Sequence, residues 1–351
     1  MKKALSSLLA LCILLLALAV PAAAAEQGTG KIYLYGETHA NQSHLDQELA
    51  AWKDYYQNQG MRDLFIEVPS YSAAFLNLWM KAGDDAILTR LYEDWSGTAM
   101  DSQATWNFYQ AIKAECPETV FHGFDVGHQY NTTGTRYLIG LMLTGQMGSA
   151  DWDLAQKSID QGKTYYKTSD QVYRENQMAA NLREAFDALP AGTSVMVITG
   201  SAHSDIYQND MTTGTVPCMA NQLRQVYGEN LIARNLFMGF DYSQAGAAST
   251  VSIGGKDYPA LCLALQDLSG TRLTQYQSRT FWLVQDAYAD VQALPATGDF
   301  LPQDNYPCPI ETGQVFAVDY ALTDGSSIRL FYRSDGSLYQ NKPNTLGFLA
   351  G

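Results

Sequence analysis

The chain is poor in cationic side chains and has no cluster of them. Its 351 residues include 22 Lys and Arg against 36 Asp and Glu, which gives a formal net charge of −14 at pH 7. Proteins bind nucleic acids and anionic lipid surfaces through basic patches or stripes, and none is visible here. The composition therefore disfavours both partners and leaves a small-molecule or peptide substrate.

Several familiar catalytic signatures are also missing. The sequence contains no Gly-x-Ser-x-Gly elbow, no Gly-x4-Gly-Lys-Ser/Thr loop, and no Gly-x-Gly-x-x-Gly after a strand. Cysteine is scarce, and the four cysteines beyond the N-terminal region are too widely spaced for a zinc knuckle or a Cys-x-x-Cys pair. They are Cys116, Cys218, Cys262 and Cys308, for which bridged and free states stay equally open. The remaining possibility is a reaction in which a histidine and a carboxylate activate water, with or without a metal.

The N-terminus has the pattern of a secretory signal. Lys2 and Lys3 precede an apolar run over residues 8–20, and small residues follow it up to Ala25. Such a run is too short for a permanent membrane helix, and Ala-x-Ala is a cleavage pattern. We expect residues 1–25 to be a signal peptide, and its removal to take the net charge to about −16. The mature chain is then expected to be secreted without a stable membrane anchor.

Hydrophobic strands alternate with helical patterns over the first two thirds of the chain. The predicted strands lie at 31–35, 63–68, 119–125, 194–199 and 231–238. The predicted helices begin at about Ser43 and continue near 71–81, 84–94, 102–114, 135–146, 151–189 and 217–227. This alternation is typical of an α/β protein, a three-layer sandwich with a mainly parallel sheet.

The composition changes after residue 238 to stretches rich in Tyr, Thr, Ser and Gly. Residues 314–320 and 327–332 form a predicted hairpin around a Thr-Asp-Gly turn. We therefore predict an α/β domain over residues 26–238, followed by a β-rich accessory region over residues 239–351.

Charged or imidazole side chains follow four of the predicted strands. In open parallel sheets, ligands bind beyond the carboxyl ends of the strands, so these side chains are expected to converge. The set comprises the turn Gly36-Glu37-Thr38-His39, then Glu67, then Asp125, and then the turn Gly200-Ser201-Ala202-His203.

The residue types in this set indicate proton transfer. His39 is the first candidate base, because imidazole titrates near neutral pH, and Glu37 and Glu67 would orient it. His203 would lie opposite. His39, Glu67 and His203 also form a plausible shell for a divalent metal. Arg174, from a helical segment, would stabilise an oxyanion or bind a substrate carboxylate.

Each residue also has a structural alternative. Either histidine of the two turns could be a hydrogen-bonded residue at a strand end. Asp125 could cap the following segment, and Arg174 could form a weak surface pair with Glu175 or Asp170.

The other three histidines are assigned by position. His44 is expected at a helix start and His122 inside a strand as a satisfied core residue. His128 closely follows Asp125, so both a place in the same cleft and a place outside it stay open.

Five motifs occur in a fixed order over residues 31–237, and together they resemble a known superfamily. They are Tyr35-Gly36-Glu37-Thr38-His39, Phe65-Ile66-Glu67-Val68-Pro69, Gly123-Phe124-Asp125, the run Arg174-Glu175-Asn176-Gln177-Met178-Ala179-Ala180-Asn181, and Ile198-Thr199-Gly200-Ser201-Ala202-His203. This set resembles the superfamily that joins the erythromycin esterases, the haem-binding ChaN proteins, and the TraB and Tiki proteins. The resemblance implies an α/β sandwich with its active site at the strand ends.

The branches of that superfamily imply different activities. In the esterase branch the residue matching His39 activates water for attack on a lactone, and Glu37 with the Arg174 motif favours this branch. The Tiki-like branch implies a metal-dependent peptidase using His39, Glu67 and His203, and the ChaN branch implies haem binding. The leading expectation is a secreted hydrolase of an ester, lactone or amide. The alternatives are a haem- or metal-binding protein without turnover, and a pseudo-enzyme in which the β-rich region does the work.

Overall fold

A computed structural model of the chain describes residues 30–350, so the predicted signal peptide lies outside the described residues. The strands are β1 (Ile32–Glu37), β2 (Asp63–Ile66), β3 (Val120–Gly123), β4 (Val195–Gly200), β5 (Leu231–Asn235), β6 (Phe240–Asp241), β7 (Ala248–Ile253), β8 (Lys256–Asp267), β9 (Tyr276–Val284), β10 (Ala296–Pro302), β11 (Val315–Leu322), β12 (Ser327–Arg333), β13 (Leu338–Tyr339) and β14 (Lys342–Phe348). The helices are α1 (Gln42–Asn58), α2 (Ser70–Met80), α3 (Ala86–Trp95), α4 (Gln103–Glu115), α5 (Thr135–Leu143), α6 (Ala150–Thr168), α7 (Gln171–Asp187), α8 (Met219–Tyr227) and α9 (Tyr288–Val291).

The first five strands form a parallel sheet in the order β5-β1-β4-β2-β3. Helices cover both of its faces. Successive side chains of a strand point to opposite sides, so each strand contributes to the cores on both faces. Val195 and Val197 of β4 pack into the core that contains Met178 and Leu223, from α7 and α8. Met196 packs on the other face with residues of α1 to α4. The three-layer arrangement predicted from the sequence is present in this part of the chain.

The sheet continues beyond β5, and there it is antiparallel. It runs on through β6, β8, β9, β11, β12, β14 and β10, with β7 beside β8 and β13 beside β14. The prediction of a mainly parallel sheet is therefore wrong for the sheet as a whole. Short turns join several consecutive strands in this region, such as β7 to β8 and β11 to β12, and turns of this length permit only antiparallel neighbours.

The region after residue 238 is β-rich, as expected. The predicted hairpin is confirmed as β11 and β12, which pair from Val315–Arg333 to Ala321–Ser327. One apolar core holds Leu34 of β1 together with Phe281 and Phe316 of the later strands. Sheet and core thus run across residue 238, and the domain boundary placed there stays a prediction.

The predicted long helix at 151–189 is two helices, α6 and α7. The first helix ends at Ser169, whose φ of 53° is left-handed. The Asp170 side chain then accepts a hydrogen bond from the Tyr173 amide and caps the start of α7. The break places Arg174 in the first turn of α7. Within residues 30–350 no helix is long and apolar enough to cross a membrane.

The four cysteines of the described part are free and buried. Burial raises the pKa of the Cys218 and Cys308 thiols to about 12. Thiols that stay protonated are poor nucleophiles, so a role as covalent catalysts is disfavoured for both.

Candidate functional site

The ends of β1, β2 and β4 meet at one edge of the parallel sheet and bring three predicted site residues together. His39 follows β1, Glu67 follows β2, and His203 lies in a 3-10 turn after β4. Atom Nε2 of His39 is 3.9 Å from Oε1 of Glu67, and Nε2 of His203 is 3.8 Å from the same oxygen. A Cβ atom added at Gly200 would lie 3.1 Å from Nε2 of His39. Glycine at that position lets the end of β4 approach the imidazole closely.

Each of the two histidines is backed by its own carboxylate. Nδ1 of His39 is 2.9 Å from Oε1 of Glu37, and Nδ1 of His203 is 2.6 Å from Oε2 of Glu175. With a proton on Nδ1, each imidazole donates to its carboxylate and turns Nε2 toward the centre. The other oxygen of Glu175 accepts from the backbone amide of Met219, at the start of α8.

These carboxylates favour the protonated imidazoles. The hydrogen bond to Glu37 outweighs burial and raises the pKa of His39 to about 9. Burial acts to lower the pKa of His203, but the charge of Glu67 and the contact with Glu175 outweigh it and raise the pKa.

Arg174 joins two buried carboxylates at the floor of the site. Its Nη2 lies 2.6 Å from Oε1 of Glu67 and 2.7 Å from Oδ2 of Asp125, and its Nε donates to Oδ1 of Asp125 at 3.0 Å. The alternative of a surface pair with Glu175 or Asp170 is therefore wrong. Asp125 also accepts from the next backbone amide, so the capping alternative holds alongside its contact with Arg174.

Glu67 stays ionised although it is buried. Its Oε2 accepts hydrogen bonds from Oγ1 of Thr199 at 2.7 Å and from the amide of Gly200 at 2.6 Å. Burial acts to raise the pKa of Glu67, but the charges of His203, Arg174 and His39 lower it to about 2. Glu67 is thus too weak a base to take a proton from water, and it acts as a fixed negative charge.

One residue of the site, Glu175, was not identified from the sequence, and a place in the site was left open for another, His128. Glu175 holds His203, as described above. His128 extends the site, because its Nε2 lies 2.9 Å from Oδ2 of Asp125 and its Nδ1 lies 2.6 Å from Oη of Tyr166.

The other two histidines lie outside the site, as their positions predicted. His44 is in the first turn of α1, where its Nδ1 accepts from the amide of Thr38 at 2.9 Å. His122 of β3 is 2.8 Å from Oδ1 of Asp63 and stacks on Phe65. Both imidazoles are satisfied where they stand.

As the side chains stand, the arrangement is not that of a divalent-metal site. Among residues 30–350, no group of three or more His, Cys, Asp or Glu side chains is placed to hold a metal ion. The guanidinium of Arg174 already contacts the Glu67 oxygen that faces both imidazoles, and a divalent cation there would meet a like charge. The predicted ligand set His39, Glu67 and His203 stays a prediction.

No protein-family model and no curated protein matches the chain. It is similar to a solved structure of a Bacillus cereus protein at 12% identity and a TM-score of 0.41, over 58% of this chain and 65% of that one. The chain thus spans less than two thirds of that protein's length. It is also similar to a mutant of the erythromycin esterase EreC in its open conformation, at 11% identity and a TM-score of 0.42, over 58% of this chain and 69% of the other. A third structure shows cofacial haem binding to ChaN of Campylobacter jejuni, at 12% identity and a TM-score of 0.29, over 56% and 78% of the two chains. Likenesses of this size identify neither a family nor a function.

Proposed function

We propose that this chain is an exported hydrolase that cleaves an ester, a lactone or an amide with water activated by His39. The observation that carries the proposal is the convergence of two carboxylate-backed imidazoles on one oxygen of Glu67. A water molecule beside Nε2 of His39 would lose a proton to the neutral imidazole. Glu37 would then stabilise the imidazolium that forms.

Accessibility favours His39 over His203 as the base. The His39 side chain is 34% exposed, whereas that of His203 is 13% exposed. A substrate can therefore reach the imidazole of His39 from solvent. His203 lies deeper, where it completes the polar wall opposite.

Arg174 would stabilise the negative charge that develops on the substrate. Its contacts to Glu67 and Asp125 use Nε and Nη2, and no described residue accepts a hydrogen bond from Nη1. The guanidinium is therefore held in a fixed orientation with one amino group free. Such pre-oriented donors are worth most in a site from which water is excluded.

The rate is expected to rise with pH as His39 loses its proton. A general base acts in its neutral form, and the pKa of His39 is raised to about 9. Below that pH most molecules carry the imidazolium, so kcat/KM should fall about tenfold for each pH unit. A pH profile of kcat/KM from 6 to 10 checks this. A rise with an apparent pKa near 6.5 would contradict the claim that Glu37 raises the pKa of His39.

Purified mature protein tests the function directly. Aryl esters, lactones and amides would be assayed before and after treatment with a chelator, and haem would be titrated separately. Hydrolysis that survives chelation supports the proposal. Hydrolysis lost on chelation and restored by Zn²⁺ would move the chemistry to the predicted metal ligands. A Soret band without hydrolysis of any substrate would contradict the proposal and favour the haem-binding alternative.

A further inference from the structure

Glu48 is a buried carboxyl group that the proposed mechanism does not use. It lies on the buried face of α1 with Leu45, Trp52 and Tyr55, and it has no solvent exposure. Neither of its carboxyl oxygens has a hydrogen-bond partner among the described residues. An ionised carboxylate is strongly disfavoured in such a place, whereas a neutral acid needs only one acceptor for its proton.

An acceptor without a donor lies next to it. Glu37 uses Oε1 to hold His39, and its buried Oε2 has no partner among residues 30–350. The bond from the Thr38 amide to His44 fixes the first turn of α1 against the end of β1. Glu48 follows His44 by four residues, so it lies on the same face of the helix, one turn along.

The electrostatics agree with this placement. Burial, and then the charge of Glu37, raise the pKa of Glu48 well above its usual range. The two carboxyl groups are thus close enough to interact, and one of them holds a proton. Glu37 also lines a small cavity together with Leu45, which shares the buried face of α1 with Glu48.

We propose that Glu48 is a positioning residue that, as a neutral acid, donates its proton to Oε2 of Glu37. The inference rests on the proposed role of His39 as the base. A donor on Oε2 withdraws charge from Glu37, which then stabilises the imidazolium of His39 less. Glu48 touches no substrate, and it tunes the base through Glu37.

Few other ionisable groups face these residues. His44 of α1 interacts with the charge of Glu37, and burial lowers the pKa of its imidazole. Glu37, Glu67 and Arg174 face His39, from the ends of β1 and β2 and from α7. The described groups near Glu48 are Glu37 and Tyr109 of α4, and burial raises the pKa of that phenol, so it stays neutral over the range tested. A change at Glu48 therefore reaches His39 through Glu37.

The test is the titration of His39 itself, followed by NMR of its imidazole in the full mature chain. Glu48→Leu removes the donor and is expected to raise the pKa of His39 by about half to one unit. Glu48→Gln keeps a neutral donor and should titrate close to the wild type. An unchanged His39 in Glu48→Leu, or an equal shift in both variants, would overturn the inference.

A second measurement does not depend on whether Glu48→Leu folds. In protein labelled with ¹³C at the glutamate carboxyl carbons, Glu48 is identified by the signal that Glu48→Gln lacks. That signal should be that of a protonated acid at pH 7, and a carboxylate signal would overturn the inference. Neither measurement needs turnover. If the His39 pKa and the Glu48 signal behave as expected but the protein hydrolyses nothing, only the proposed function is contradicted. If the protein hydrolyses a substrate but neither measurement gives the expected result, only the role of Glu48 is contradicted.

Discussion

Replacing Arg174 with methionine is expected to lower the free energy of unfolding by about 3–5 kcal/mol and to abolish hydrolysis. The Arg174 side chain is 17% exposed, and it is the cationic partner of Glu67 and of Asp125, which is 1% exposed. Without the guanidinium, Asp125 and Glu67 stay buried with their charges less compensated. Urea unfolding at pH 7 measures the loss.

Two variants control this experiment. Arg136→Met removes a guanidinium whose side chain is 30% exposed and which pairs with Asp94 away from the site, so a smaller loss is expected. Arg174→Lys keeps the charge but loses the forked contact to two carboxylates, so it should retain more stability than Arg174→Met and still lose turnover. Equal stabilities of Arg174→Met and Arg136→Met would show that Arg174 is not the cation that the buried carboxylates need.

The pH dependence of the difference in unfolding free energy between wild type and Arg174→Met is an independent test. The pKa of Glu67 is lowered to about 2, and Arg174 also lowers that of Asp125. Groups with depressed folded-state pKa values contribute stability above their unfolded values, near 4, and lose it as the pH falls through the folded ones. The difference between wild type and Arg174→Met should therefore shrink as the pH falls from about 4 to about 2.

The position of the site could be predicted from the sequence because strand ends are local features. Gly36 and Gly200 end apolar runs, and in parallel strands those ends meet at one edge of the sheet. His39, Glu67 and His203 consequently lie together. The antiparallel continuation could not be predicted in the same way, since the pairing of β5 with β6, and of β6 with β8, is decided by tertiary contacts.

Two buried carboxylates, Glu175 behind His203 and Glu48 on α1, were missed, although the sequence holds a signal for them. Glu175 shares the buried face of α7 with Met178 and Leu182, and Glu48 interrupts the apolar stripe of α1 in the same way. A carboxylate in an apolar stripe is costly unless it has a partner, so it marks a buried polar contact. The partner itself comes from a distant segment, such as His203 for Glu175, and spacing along one helix cannot identify it.

Replacing His39 with alanine is expected to lower kcat by about 10²–10⁴ on any ester that the wild type hydrolyses, with a smaller change in KM. The reason is that His39 takes the proton of water in the transition state, whereas Arg174 remains to bind the substrate. His122→Ala is the matched control. His122 is also partly buried and bonded to a carboxylate, Asp63, but it lies outside the site, so turnover should be unchanged.

His203→Ala distinguishes a base from a partner. If His39 is the base, the His203→Ala enzyme should be slower, and its rate should still rise with pH toward about 9. The apparent pKa of that rise should be somewhat displaced, because the neighbouring imidazole is lost. The residual rate of His39→Ala should no longer rise with pH in this range. If His203→Ala loses the rise with pH and His39→Ala keeps it, the two roles are exchanged. If neither substitution changes the rate, hydrolysis takes place elsewhere, because each imidazole presents its free Nε2 to the same oxygen of Glu67.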